Sequence, residues 1–219
     1  MEVKIMRICS VDGCGEKHYS KGYCKKHYHR LLNYGDVLKR TNNDPNEFIV
    51  EDSICWVILY NIKNIEVARS KFNLKYYEIL KDYKWSKHRG GYVTTTWFDE
   101  FQHQHQMSLH AAIIELSGQI VPYGFEIDHK DRDKLNNLED NLRICTRSQN
   151  QHNTHKRRDN TSGLKGVSYH KYTKKWAASI MNNNIQEHLG VFNTKEDAAR
   201  AYNVAAIEYH GEFAQLNNI

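Results

Sequence analysis

Two short runs of alternating apolar and polar residues, separated by a polar loop, dominate the pattern of this chain. Gly124-Phe125-Glu126-Ile127-Asp128-His129 reads as one strand and Asn141-Leu142-Arg143-Ile144-Cys145 as a second. Thr146 followed three residues later by Gln149 is a capping box, so a helix begins there with Asn150 in its first or second turn. The intervening Lys130-Asp131-Arg132-Asp133-Lys134-Leu135-Asn136-Asn137 is rich in turn-forming Asn and Asp, as an ordered loop requires. Upstream, Ala111 to Leu116 is an apolar helix-like run ending at Gly118. Earlier still, a strand is expected near Ile54 to Tyr60, a helix over Leu74 to Tyr83, and a strand at Tyr92 to Trp97 after the Arg89-Gly90-Gly91 turn. Leu74, Tyr77, Leu80 and Tyr83 form a core-facing stripe, and Trp56, Trp85 and Trp97 are expected in the core.

Beyond a boundary at Asn160-Thr161-Ser162-Gly163 the pattern changes to three short strands and one helix. Residues 166–170, 175–180 and 186–192 form the strands, with a hairpin turn at Asn182-Asn183-Asn184. Thr194 caps the helix, Glu196 and Asp197 complement its dipole, and Gly211 follows its end. Ala198, Ala201, Tyr202, Ala205 and Ala206 let it lie close on one face of the sheet, leaving the other face free. The fold class is α+β, in three modules: residues 1–40, 41–160 and 161–219.

The chain of 219 residues carries a formal charge of +5. Residues 1–40 hold nine Lys and Arg against four acids, and residues 143–160 hold five against one, so the basic segments flank the strand pair. That placement suits phosphate neutralisation by a chain gripping nucleic acid. The longest apolar run, Ile54 to Tyr60, is far short of the roughly 20 residues of a membrane span. The opening Met-Glu-Val-Lys-Ile-Met-Arg lacks the apolar core of a signal peptide, so a cytoplasmic, intracellular protein is expected, with no membrane partner.

Three of the five cysteines precede residue 25. Cys9, Cys14, Cys24 and His27 have the spacing C-x4-C-x9-C-x2-H, a donor set for structural zinc, with His18 or His29 as alternative fourth ligands. Nearby Lys25 and Arg30 are candidates for phosphate contact.

The chemistry of the strand pair is that of phosphodiester hydrolysis. His129 suits a general base near neutral pH. Asp128 and the Asn150 side-chain carbonyl are the one or two hard oxygen ligands that magnesium or manganese typically takes beside substrate oxygens. Asn141, thirteen residues after Asp128, is placed to orient His129. His110, His152 and His155 are weaker candidates, His110 as a residue supporting the site.

Asp-His, then Asn-Asn-x-x-x-Asn-Leu-Arg, then a helical Asn resembles the HNH endonucleases, specifically the phage and intron-encoded homing type. The resemblance implies a ββα-metal nuclease on double-stranded DNA, with His129 as general base, Asp128 and Asn150 on the metal and Asn141 positioning the base. The last position is Asn rather than the His that names the family, which leaves metal preference open. It further implies nicking by a monomer, a double break requiring a dimer or successive cuts. The cysteine module is similar to small zinc fingers at the start of phage HNH proteins. The carboxy-terminal marks, Lys-Trp-Ala-Ala, Leu-Gly-x-Phe and Glu-Asp-Ala-Ala-Arg-Ala-Tyr, resemble the plant ethylene-response-factor (Apetala-type) DNA-binding domain. That family reads the major groove with its sheet, and the matching positions here are Lys165, Ser168, His170, Tyr172, Lys175, Ser179, Gln186 and His188. Several arginines of the plant proteins are Ser, His or Met181 here, so their recognition sequence does not transfer. The rival readings are a DNA-binding regulator with an inactive nuclease framework and an RNA-directed protein.

Overall fold

The structure is a computed structural model and describes residues 7–42, 44–154, 156, 159–182 and 185–219. Its contacts divide the chain into two compact units. One comprises the residues up to Pro45 with Tyr60–Glu66, the other Asn46–Leu59 with Val67–Ile219. No helix among the described residues is long and apolar enough to cross a membrane. The architecture is α+β throughout, with small antiparallel sheets and short helices.

In the first unit, single bridges Ile8↔Lys17 and Ser20↔Tyr23 lead into helix α1, Lys25–Tyr34. Gly35 ends it in the left-handed region at φ 69°, its N–H returning to the Leu31 carbonyl.

Strands β1 (Phe48–Glu51), β2 (Ile54–Tyr60) and β3 (Glu66–Asn73), in the second unit but for the end residues Tyr60 and Glu66, form one sheet in that order. Cys55, Val57 and Leu59 alternate along β2 and are fully buried, meeting Phe72, Leu80, Trp85, Leu109 and Ile113 in the main core. That alternation turns Trp56 away, and its indole donates to Glu51 instead. Trp85 is 1% exposed, but Trp97 is 36% exposed and stacks on His105, so one of the three expected core tryptophans is fully interior.

The expected helix over Leu74 to Tyr83 is shorter, a 3-10 turn at Leu74–Tyr76 followed by α2, Tyr77–Leu80. Trp85 ends it. Its backbone N–H donates to the Asn46 side chain and its indole to the Leu80 carbonyl, drawing the chain into strand β4, Trp85–Lys87. Leu74, Tyr77 and Tyr83 nonetheless pack on the core as the stripe predicts. Strands β5 (Val93–Phe98) and β6 (Gln104–Ser108) complete a meander with β4, and α3, Leu109–Leu116, buries Leu109, Ala112, Ile113 and Ile114.

The hairpin of β7 (Phe125–His129) and β8 (Leu142–Thr146) pairs Asp128 with Arg143 and His129 with Leu142. Its connecting loop is anchored far away in sequence. Lys71 N–H donates to the Leu135 carbonyl, Asn137 N–H to the Lys71 carbonyl, and Ser70 Oγ to Leu135, so β3 acts as a rail for the loop. Helix α4, Arg147–His152, starts on the expected capping box, with both reciprocal bonds formed.

The last sheet has the order β11-β10-β9, from β9 (Val167–His170), β10 (Lys175–Asn182) and β11 (Ile185–Phe192). Of the turn expected there, Asn183 and Asn184 lie outside the described residues, as does His155. Helix α5, Lys195–His210, lies on the sheet through Ala198, Ala199, Tyr202, Ala205 and Ala206, with Ala201 partly buried. Gly166 makes that approach possible: at φ +73°, a Cβ there would sit 2.0 Å from Tyr202 Cδ2 and 2.7 Å from the Ser179 carbonyl. Gly166→Ala should cost about 3 kcal/mol, since it adds overpacking to backbone strain. Thermal unfolding should show a midpoint lower by roughly 6–12 °C.

Candidate functional site

The β7–β8 hairpin places Asp128 and His129 side by side on one strand, so their side chains leave on opposite faces. Both are interior, 6% and 4% exposed. His129 Nε2 lies 3.2 Å from Asn137 Oδ1, and Asn137, fully buried, is fixed through its Nδ2 to Ser70 Oγ and the Lys134 carbonyl. With Asn137 presenting its carbonyl, Nε2 carries the proton and Nδ1 is the free base. Burial pushes the His129 imidazole below its ordinary value, while the Asn137 carbonyl and the charges of Asp131, Asp128 and Asp133 pull back upward. Tyr92 and His110 line the ring at centroid distances of 6.1 and 5.3 Å. His110 is pushed down to about 4 by burial and by the His129 and Lys134 charges, so it too is neutral near pH 7.

Asn141 is not the residue that touches His129. Its side chain donates to Asp131 Oδ1 and the Asn136 carbonyl and accepts from the Asp131 N–H, while its carbonyl accepts from the Lys130 N–H. It braces the loop instead. The direct partner, Asn137, comes from the Asn-Asn pair inside the loop, and nothing local marks which of the two turns inward.

Asn150 is carried on α4, where its Nδ2 donates to Glu126 Oε2 at 2.7 Å, leaving the carbonyl oxygen as the donor available to an ion. Asp128 is held by two residues the sequence reading passed over. Arg143 approaches Oδ2 through Nε at 2.9 Å and Nη2 at 2.8 Å, and Asn153 Nδ2 reaches both carboxylate oxygens and the His129 carbonyl. Asn153 follows Asn150 by three positions, the spacing of one helix face, and is the signal that pattern reading had available. Among the described residues, Asp128 Oδ1 accepts only from Asn153, so it retains lone-pair capacity. A carboxylate and an amide carbonyl on facing elements are a hard-oxygen set that suits magnesium or manganese.

The four amino-terminal ligands converge. The donor atoms of Cys9, Cys14, Cys24 and His27 all lie within 4.8 Å of one another, with His27 Nδ1 3.3 Å from the sulfurs of Cys9 and Cys24, and Cys14 and Cys24 Sγ 3.8 Å apart. A zinc tetrahedron with bonds near 2.3 Å has edges of about 3.8 Å, so the donors fit it. His18 accepts from the Gly22 N–H and His29 packs on Tyr19 and Tyr28, so neither belongs to the cluster. Burial raises the Cys9 thiol, but hydrogen bonds from the backbone of Cys24 and Val11 and from His27 and Cys14 outweigh it and bring it to about 6, toward the thiolate that metals bind.

Two expected nucleic-acid contacts are structural instead. Arg30 is 8% exposed and spent on Asp44 through both carboxylate oxygens, while Lys25 stays exposed on α1. Lys165 donates to the carbonyls of His152 and Thr154, both at 2.7 Å, and burial followed by the Arg132 charge lowers it to about 8. On the sheet face away from α5, the pairing sets Ser168 beside Ala177, His170 beside Lys175, His188 beside Ser179 and Gln186 beside Met181. Ser168, His170, Lys175, Gln186 and His188 are exposed, and Tyr172 is 95% exposed at the β9–β10 turn.

A family model described as HNH endonuclease matches residues 109–152. The Uncharacterized HNH endonuclease L560 of Acanthamoeba polyphaga mimivirus is 32% identical over 186 residues, 83% of this chain and 90% of that protein. Protein 3.8 of Escherichia phage T7 is 33% identical over 107 residues, 49% of this chain and 88% of that protein. The Ethylene-responsive transcription factor WRI1 of Arabidopsis thaliana is 43% identical over 58 residues, covering 26% of this chain and 14% of that protein.

Asn137→Ala should cost about 1–3 kcal/mol by stranding buried Ser70 and His129 groups. Nitrogen-15 NMR should show His129 leaving the single Nε2–H tautomer, and an unchanged spectrum would remove Asn137 from this role. The purified chain should release one equivalent of zinc to a thiol-reactive reagent, and Cys24→Ser should abolish that equivalent and lower the unfolding midpoint.

Proposed function

The chain belongs to the HNH endonuclease family, and from that membership we propose that it is a divalent-metal-dependent DNA endonuclease of the homing type. It hydrolyses phosphodiesters of double-stranded DNA at a preferred site and nicks as a monomer. The observation that carries this reading is the buried Asp128-His129 pair, with His129 held in one tautomer by Asn137 on one face of β7 and Asp128 turned to the other, where Asn150 of α4 meets Glu126.

In the proposed mechanism His129 Nδ1 removes the proton from the attacking water while Nε2–H stays on Asn137. Asp128 and Asn150 would hold magnesium or manganese, and the ion would supply Lewis-acid stabilisation of negative charge at the scissile phosphate. Arg143 and Asn153 keep the Asp128 carboxylate in one orientation, and Asn141 keeps the loop that presents His129 and Asn137 in register. One such site per chain cuts one strand per encounter.

Recognition is assigned to the open face of the carboxy-terminal sheet, through Ser168, His170, Lys175, Ser179, Gln186 and His188 with Tyr172 at its turn. A ribbon of this kind fits the major groove, and the likeness to plant transcription factors supports the assignment. The amino-terminal zinc module adds phosphate contact through Lys25. Such a substrate places the protein's action inside a cell.

Supercoiled plasmid incubated with the chain and magnesium should convert to the nicked circle. His129→Ala should slow that conversion by about 100-fold or more, the lower end of what a general base contributes. Asp128→Asn and EDTA should each stop it. Equal persistence of supercoiled plasmid with wild type and His129→Ala would sink the enzyme reading.

A further inference from the structure

Residues 155–163, which join the nuclease residues to the carboxy-terminal sheet, number nine. A flexible tether of that length would have an end-to-end distance of about 15–18 Å. Along a duplex that is about five base pairs of uncertainty in where the nuclease meets the strand. The structure shows a different arrangement. Its described residues are tied to one another and to Leu164, with Lys156 Nζ donating to the Gly163 carbonyl, the Gly163 N–H to Asn160 Oδ1 and Asn160 Nδ2 to the Leu164 carbonyl.

Beyond the connection, the two modules touch at three separate places. On β8, Arg143 Nη1 donates to the Glu212 carbonyl at 2.9 Å and lies 3.2 Å from its carboxylate, and the guanidinium carbon sits 3.7 Å above the Phe213 ring. At the end of α4, the His152 ring stacks on His210 at 3.6 Å and 11°, and His210 Nε2 is bonded to the Met181 carbonyl of β10. Past α4, Lys165 Nζ spans the carbonyls of His152 and Thr154. Contacts on a strand, a helix end and the segment after it oppose hinging about any single point. The Arg143 side chain is 10% exposed, and that guanidinium also holds Asp128, so the docking contact and the nuclease carboxylate share one residue. A cleft of about 730 Å³ runs between the modules, lined by Ser148 and Gln151 of α4, Lys156, and Ser168, Ser179 and Gln186 of the open sheet face. Residues of the open sheet face and of the nuclease helix thus border one cleft.

We infer that the carboxy-terminal module and the nuclease grip one duplex as a single rigid body, so that the strand is cut at a fixed offset from the sequence the sheet binds. This rests on the nuclease reading above. The contacts that hold the offset are those of Lys165, His210 and Arg143.

The test begins with duplexes selected from a random-sequence library by the full-length His129→Ala chain. Wild type, Lys165→Met, His210→Leu and the double variant are then compared on a selected duplex by hydroxyl-radical footprinting and by mapping cut ends. Wild type should cut at one or two adjacent phosphodiesters and give one continuous footprint of constant boundary. The double variant should keep the protection over the sheet's site, while its cuts spread over about five base pairs and the adjoining protection fades. Lys165→Met keeps the aliphatic stem and serves if the double variant unfolds by calorimetry. Cuts as scattered in wild type as in the variants, or a fixed cut that survives both substitutions, would overturn the inference and leave the nuclease reading standing. A continuous wild-type footprint that fades in the variants, with no cutting, would overturn the nuclease reading and support the single body. Failure to select any duplex would remove both.

Discussion

The imidazole of the candidate site depends on one polar anchor, the seating of the β7–β8 loop on strand β3. Two backbone hydrogen bonds, from Lys71 to Leu135 and from Asn137 to Lys71, set the loop's register against a strand of the main core. Asn137 is then driven into a fully enclosed position where each polar atom must be matched. Ser70, the Lys134 carbonyl and His129 satisfy it, which couples the tautomer of the imidazole to the packing of a strand almost 60 residues earlier. An imidazole held this way keeps one tautomer and one orientation, both decided when the core formed.

The neighbouring carboxylate is built on a different logic. Asp128 faces the opposite side of β7 and is supported by Arg143 from the paired strand and Asn153 from the end of α4. A buried carboxylate needs such partners, since an uncompensated charge at 6% exposure is strongly disfavoured. Using both an Arg and an Asn leaves part of one oxygen's capacity for an ion while keeping the charge compensated. The strand period of two thus separates the imidazole from the carboxylate though they are adjacent in sequence.

Arg143 extends that support outward to Glu212 and Phe213, so the carboxy-terminal module is in contact with the group that holds the carboxylate. The same module gives up Lys165 as a strut to the end of α4. Its open sheet face is therefore left with few cations, chiefly Lys175, among Ser, His and Gln side chains.

The features that sequence alone determined are those whose cause lies within a few residues. The Thr146 and Gln149 capping box, the two hairpin strands, the alanine face of α5 and the cysteine spacing all follow from local geometry or ligand periodicity, and the structure reproduces each. The choice of His27 over His18 and His29, the inward turn of Asn137 in place of Asn141, the burial of Arg30, the engagement of Lys165 by the carbonyls after α4, and the outward turn of Trp56 and Trp97 were decided by the tertiary fold. Each depends on a partner distant along the chain, or on which face of a strand the core takes. A residue type carries its chemistry in the sequence, but whether that chemistry meets solvent, substrate or another side chain is set by what the folded chain brings against it.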